Sequence, residues 1–118
     1  MVVAVELTPV KTRTENVVGV LRAGAAAKQE GVLVVGAHLD HLGMGGHGTG
    51  ALDAELAVHN GADDNASGVA ALLEAARILG ARRAELSRDV YFVAFSGEEM
   101  GLLGSTHFVA HTPYTGTP

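Results

Sequence analysis

The chain has 118 residues, of which 47% are hydrophobic and 18% are charged; this length accommodates one domain and excludes a second independent one. Thirteen acidic and eight basic residues give a net charge of −5, and the basic residues are too scattered to suit a nucleic-acid partner. Because cysteine is absent, neither a disulfide nor a thiolate metal ligand is possible.

The first 23 residues predict a β-hairpin. Two β-branched runs, at residues 2–10 and 16–23, flank the polar and turn-like residues 11–15. The amino terminus lacks the basic start and small-residue cleavage site of a signal peptide. Nowhere in the chain does an apolar run approach the length of a membrane span, so we expect no membrane partner.

The middle of the chain predicts a βαβ unit. Residues 31–38 and 88–95 are continuous apolar runs, typical of strands covered on both faces, so we expect both strands in the interior of a sheet. Residues 65–79 predict a helix, because apolar side chains recur there at helical spacing: Val69, Leu72, Leu73, Ala76 and Leu79. A strand, a helix and a strand in this order form a unit that is normally parallel and right-handed.

A second helix is predicted after the Ser-Gly-Glu-Glu sequence at residues 96–99, with Met100, Leu103 and Phe108 as its apolar stripe. The chain then ends after one βαβ unit. We therefore interpret residues 1–118 as a single, truncated domain with a site region at residues 31–111. The uncovered sheet edge predicts self-association.

Three polar clusters fall where the carboxyl ends of parallel strands and the amino end of a helix share one edge of a sheet: His38 with Asp40, Asp63 with Asp64, and Glu98 with Glu99. Acids crowded in this way repel one another unless a cation compensates them. Imidazole and carboxylate without thiolate suit Zn²⁺ foremost. Alternatively, each doubled acid caps a helix and the histidine is an ordinary polar residue at the end of a strand.

A glycine motif offers a different function. Gly43, Gly45 and Gly48 match the dinucleotide-binding pattern, and Asp63 or Asp64 lies about as far downstream as the acid that would bind the ribose. However, the residues after these glycines do not predict a helix directly, and acids surround the loop where a pyrophosphate would lie. The metal site is therefore the favoured interpretation.

Three segments, "GAHLDHLG", "NGADDNASGVAALLEAAR" and "VYFVAFSGEEMGLLGS", resemble in order and spacing the co-catalytic di-zinc aminopeptidases related to bacterial leucyl aminopeptidase, aminopeptidase S and aminopeptidase Y. The resemblance covers residues 32–105. It implies a three-layer α/β sandwich with a mixed, largely parallel central sheet, the phosphorylase/hydrolase-like fold of zinc exopeptidases. It also implies a secreted or periplasmic parent protein.

The resemblance implies a role for each site residue. His38 matches a ligand of one zinc ion, Glu99 a ligand of the second, and Asp63 the aspartate that bridges both ions, with a cis peptide between Asp63 and the next residue. Asp40 matches the acid that binds the other ring nitrogen of His38 and fixes its tautomer. Glu98 matches the general base.

The resemblance also implies a reaction. Two zinc ions lower the pKa of a bound water and polarise the scissile carbonyl of a peptide, while Glu98 transfers the proton to the departing amine, so that N-terminal residues are removed. The other zinc ligands of the family lie beyond Pro118, so we expect this chain alone to bind metal weakly and to be inactive. The alternatives are a mono-zinc acyltransferase similar to glutaminyl cyclase and a non-catalytic binding module of the same fold.

Overall fold

The computed structural model describes residues 4, 8, 11–26, 28–46, 50–51 and 56–112. Within these ranges the chain forms three strands and two helices: β1 (Val17–Leu21), β2 (Val32–His38), α1 (Ser67–Ala81), β3 (Asp89–Phe95) and α2 (Leu103–His111). An irregular helical segment, Ala62–Ala66, leads into α1, and one 3₁₀ turn, Arg83–Glu85, follows it.

The described strands form one mixed sheet in the order β1-β3-β2. β2 and β3 are parallel neighbours with α1 between them in the chain, which confirms the predicted βαβ unit. β1 runs antiparallel along the other side of β3, from Val17 opposite Ala94 to Leu21 opposite Val90. The predicted α/β class with a mixed sheet is therefore confirmed, whereas the specific phosphorylase/hydrolase-like fold stays a prediction.

β3 forms the core of the molecule because both of its faces are covered by a helix. On one face Val90 and Phe92 form a buried cluster with Leu72 of α1. On the other face Tyr91 and Val93 pack with Phe108 of α2. Val93 is fully buried, at 0% exposure. Successive side chains of a strand point to opposite faces, so one continuous apolar run contacts both helices.

β2 does not lie in the interior of the described sheet, and that part of the prediction is wrong. Leu33 and Val34 are 50% and 45% exposed, because only β3 pairs with β2 among the described residues. A continuous apolar run indicates that a strand can be buried on both faces, but neighbouring elements decide whether it is. The exposed edge is compatible with self-association, which stays a prediction.

Two other predictions concern the chain's outer parts. The first strand of the predicted hairpin falls largely outside the described residues, so the hairpin stays a prediction. The apolar stripe of the second helix is wrong: Phe108 is buried, but Met100 and Leu103 are 75% and 53% exposed. The reason is that α2 begins only at Leu103, after Leu102 in a left-handed conformation, so Met100 precedes the helix.

In the described part of the chain, no helix combines the length and apolar character that crossing a bilayer requires.

Candidate metal centre

The parallel pairing of β2 and β3 brings the chain segments that follow them to one rim of the sheet. His38, the last residue of β2, lies opposite Phe95, the last residue of β3. The backbone N–H of Leu39 donates to the carbonyl of Phe95 at 2.8 Å, which extends the pairing past the end of the strands. Residues 38–41 and 96–99 are therefore neighbours at this rim.

A kinked segment before α1 brings a third group to the same rim. Asp64 and Asn65 have non-helical dihedral angles, and the peptide bond between them is cis. The carboxylate of Asp64 lies against the ring of His38, with Oδ1 at 2.9 Å from Nε2. The cis bond predicted after Asp63 is thus wrong by one residue.

His38, Asp64 and Glu99 form a group that can hold a metal ion. Each offers one ligand atom, and these atoms lie within 4.8 Å of one another. One imidazole and two carboxylates without thiolate form a donor set that suits Zn²⁺. His38 and Glu99 are largely buried, whereas the Asp64 side chain is 65% exposed, so the group is open to solvent on one side.

Asp63, which the sequence favours as the bridging ligand, is not in this group among the described residues. It is exposed, and its backbone carbonyl accepts a hydrogen bond from the Ser67 hydroxyl at 2.6 Å. Asp63 therefore contributes to the turn that leads into α1. The kink allows one of two adjacent carboxylates to reach β2, and in this structure that carboxylate belongs to Asp64.

Asp40 contacts two other residues of the rim, His38 and Glu99. The Nδ1 atom of His38 lies 3.1 Å from the Asp40 backbone carbonyl and 3.9 Å from its carboxylate Oδ1. A carbonyl only accepts, so in the neutral ring the proton is on Nδ1 and the lone pair of Nε2 faces Asp64. The backbone N–H of Glu99 donates to Asp40 Oδ2 at 3.4 Å. Asp40 Oδ1 is buried and has no hydrogen-bond partner among the described residues.

The two glutamates take different positions. Glu98 lies outside the ligand group, with Oε2 at 3.9 Å from His38 Nε2 and its side chain 35% exposed. Glu99 lies inside the group and contacts a histidine that sequence reasoning missed: Glu99 Oε1 is 2.7 Å from Nδ1 of His41. The second histidine of the His-Leu-Asp-His sequence was the available signal.

Gly61 lies close to the His41 side chain. This glycine has a left-handed conformation (φ 62°), and a Cβ atom there would lie only 2.7 Å from Cγ of the His41 ring. A side chain at position 61 would therefore displace His41 and, through it, Glu99. The close approach explains why the turn before α1 needs glycine at this point.

The helix-capping alternative does not account for the doubled acids. The N-cap of α1 has no side-chain cap from an aspartate; instead, Asn65 Oδ1 accepts from the N–H of Gly68 at 2.9 Å. α2 begins four residues after Glu99, and its N-cap, Leu102, provides no side-chain hydrogen bond. The acids are therefore not needed as caps.

The dinucleotide alternative does not fit either. Gly45 forms an isolated antiparallel bridge with Leu56, and the N–H of His59 donates to the Gly43 carbonyl at 2.8 Å. These two glycines thus turn the chain back on itself, whereas a dinucleotide-binding loop opens directly into a helix. Gly48 lies outside the described residues.

The chain is similar to known peptidases. The model of Peptidase family M28 matches residues 16–117. An aminopeptidase of Pseudomonas aeruginosa (strain UCBPP-PA14) is 38% identical over 89% of this chain, and the probable lipoprotein aminopeptidase LpqL of Mycobacterium tuberculosis is 35% identical over 82%. A probable zinc metalloprotease of Pyricularia oryzae is 50% identical over 44% of the chain. The aligned segments cover 16%, 16% and 10% of these relatives, so the chain spans a small part of their length.

Proposed function

Because the chain belongs to Peptidase family M28, as its three motifs predicted, we propose that the protein containing this chain is a zinc-dependent aminopeptidase. Its substrates are peptides with a free amino terminus, from which it removes single residues. The names of its relatives, aminopeptidase and zinc metalloprotease, support this activity. We also propose that the protein acts outside the cytoplasm, since one relative is named as a lipoprotein.

The observation that carries the proposal is the convergence of His38, Asp64 and Glu99 at one rim. Among the described residues, neither arginine nor lysine contacts any of the three. Two carboxylates within 4.8 Å of each other repel unless a positive charge lies between them. A divalent cation would provide that charge, and with the proton on Nδ1 the lone pair of His38 Nε2 is on the side of Asp64, where the cation would lie.

His38, Asp64 and Glu99 would hold the zinc ion, which would polarise a peptide carbonyl and lower the pKa of a water molecule. Glu98 is the proposed general base, since it lies beside His38 but outside the ligand group. Its carboxylate accepts a proton from the attacking water and donates it to the amine that leaves, so that one C–N bond breaks as one C–O bond forms.

Asp40 is the proposed positioning residue of the site. Its backbone carbonyl holds His38, and its carboxylate accepts the backbone N–H of Glu99. A cavity of about 450 Å³ is lined by Asp40, Glu99 and Met100, among others. This cavity leaves room for a substrate side chain.

We further propose that the 118-residue chain alone binds zinc weakly and does not hydrolyse peptides. If two zinc ions were to bind here, His38, Asp64 and Glu99 would have to serve both, which would leave each ion with two protein ligands from this chain. Two protein ligands are fewer than the three that catalytic zinc sites use. Calorimetric titration of the chain with Zn²⁺ tests the first statement, and two tight sites would refute it.

The test of the proposed function is metal-dependent hydrolysis by the whole protein. We expect an aminoacyl anilide with a free amino group to be cleaved, the same compound with an acetylated amino group to be resistant, and a chelator to abolish cleavage until Zn²⁺ is restored. Cleavage that survives complete removal of metal would contradict the proposal. Cyclisation of an N-terminal glutamine without anilide cleavage would instead favour the acyltransferase alternative.

A further inference from the structure

A second pair of histidines lies on α2, outside the rim. His107 and His111 are four residues apart and both exposed. Residues at this spacing lie on the same helix face, one turn apart. Their rings are stacked, with centroids 4.2 Å apart and planes inclined by 18°. The two imidazoles therefore lie face to face, close together on the surface of the helix.

The backbone orients one of these rings. Nδ1 of His111 lies 2.9 Å from the backbone carbonyl of His107. Because a carbonyl only accepts, Nδ1 of the neutral ring carries the proton and the lone pair is on Nε2. Histidines that bind metals commonly donate their other ring N–H to a backbone carbonyl in this way. The ring of His111 is thus oriented as in a metal ligand, by a backbone carbonyl and not by a carboxylate.

The surroundings of the pair leave room for an ion. His107 and His111 line a cavity of about 390 Å³ together with Glu15, Asn16 and Phe108. Glu15 adds a carboxylate to the wall of this cavity, whereas Phe108 is buried and anchors the helix against the sheet. A metal ion binds in the plane of an imidazole ring at about 2.0–2.1 Å from the nitrogen, so the stacked rings must rotate before both can face one ion. Both histidines are exposed, which leaves their side chains room to do so.

We propose that His107 and His111 form a second metal site, which binds one divalent transition-metal ion through one ring nitrogen of each histidine. Two histidines at positions i and i+4 of a helix are a known zinc-binding arrangement. Imidazole ligands favour Cu²⁺, Ni²⁺ and Zn²⁺ over Mg²⁺ and Ca²⁺, with Cu²⁺ bound most tightly. This site shares no residue with the rim, so it stands independently of the proposed peptidase activity.

Calorimetric titration of the 118-residue chain with Cu²⁺ tests the proposal. We expect His107→Ala and His111→Ala each to weaken one binding event by about tenfold or more, since a two-point chelate becomes a single ligand. Asp64→Ala removes a rim ligand and leaves this event unchanged, and Thr106→Ala, on the same helix, serves as the matched control. Alanine is a better helix former than histidine, so neither histidine variant weakens α2 by propensity.

Cu²⁺ binding that is the same in both histidine variants as in the unmodified chain would overturn the proposal. A second measurement, which needs no variant, is NMR of the unmodified chain with substoichiometric Cu²⁺. The paramagnetic ion should broaden the ring signals of His107 and His111; ring signals that stay sharp would also overturn the proposal. Asp64→Ala changes only the rim, whereas the two histidine variants change only α2. The experiments therefore show separately whether this second metal site or the proposed function fails.

Discussion

The two ends of β3 provide very different environments for carboxylates. At the amino end, Asp89 accepts the backbone N–H of Ala23 at 2.7 Å and a guanidinium N–H of Arg22 at 2.6 Å. The Ala23 N–H, followed by the Arg22 guanidinium, holds the pKa of Asp89 below its usual range. At the carboxyl end, the side-chain partners described for Asp64 and Glu99 are histidines, not arginine or lysine.

The difference shows where the chain uses its few basic residues. Two more arginines pair with glutamates on or beside α1, where Arg77 lowers the pKa of Glu74 and Arg82 lowers the pKa of Glu85. None of these arginines reaches the rim among the described contacts. Asp89, Glu74 and Glu85 thus have arginine partners within the chain, whereas the side-chain partners described for Asp64 and Glu99 are histidines. This contrast is the physical basis of the proposed metal site.

The largest expected effect separates the two glutamates of the rim. In the whole protein, Glu98→Gln should lower kcat by about 10²–10⁴-fold, because an amide cannot accept the proton of the attacking water. Zinc content, measured by atomic absorption, should be unchanged because Glu98 lies outside the ligand group. A variant with near-normal kcat would remove Glu98 from the mechanism.

The two adjacent aspartates form a matched pair for the next test. Asp64→Ala should weaken Zn²⁺ binding by more than about 100-fold, since loss of a ligand costs more than the 10–100-fold that is typical of a supporting residue. Asp63→Ala should change Zn²⁺ affinity little, because Asp63 contributes its backbone carbonyl to the turn. Competition titration of the whole protein with a zinc-binding dye measures both, and the reverse order of effects would restore Asp63 as the ligand.

His41→Ala should have a smaller effect, about a tenfold loss of Zn²⁺ affinity, because it frees Glu99 Oε1 without removing a ligand. The same titration measures it. His41→Asn is the conservative variant, since the amide can still donate to Glu99, and it should recover part of the loss. Equal affinity for the His41→Ala variant and the unmodified whole protein would show that Glu99 does not need this contact.

The smallest effect concerns the other end of β3. Asp89→Asn should lower the thermal midpoint of the chain by a few degrees at pH 7, because it removes the charge that Arg22 and Ala23 stabilise. The folded pKa of Asp89 lies below the unfolded value of about 3.9, so its contribution is complete above that pH and is lost as the pH falls through the folded pKa.

The difference in midpoint between Asp89→Asn and the unmodified chain should therefore shrink as the pH falls below about 4. Thermal unfolding followed by circular dichroism at several pH values measures it. Glu74→Gln is the control, since the Glu74 and Arg77 side chains are 54% and 71% exposed and such pairs contribute little. A midpoint difference that does not change with pH would contradict the ionic role of Asp89.

The strands and helices were largely readable from the sequence because their signals are local. The apolar runs at residues 31–38 and 88–95 became β2 and β3, and the helical spacing around Leu72 became α1. The exposure of β2 was not readable, because it depends on which strands lie beside it. The start of α2 was misjudged because Leu102 adopts a left-handed conformation that its residue type does not predict.

Which polar clusters meet at the rim was readable in part, whereas the residues that hold a metal there stay a prediction. The order of the polar clusters predicted that His38 and Glu99 would meet, since parallel strands end at one edge. The choice between Asp63 and Asp64 was not readable, because it depends on the dihedral angles of the kink at Asp64 and Asn65. The contact between His41 and Glu99 joins residues 58 positions apart, so only the folded structure reveals it.

X-ray anomalous scattering at the zinc edge, from crystals of the chain grown with Zn²⁺, tests the central claim most directly. We predict a peak about 2.0–2.2 Å from Nε2 of His38 and from a carboxylate oxygen of Asp64 or Glu99. A peak bound by Asp63 with Asp64 turned away, or no peak at this rim in zinc-saturated crystals, would contradict the account.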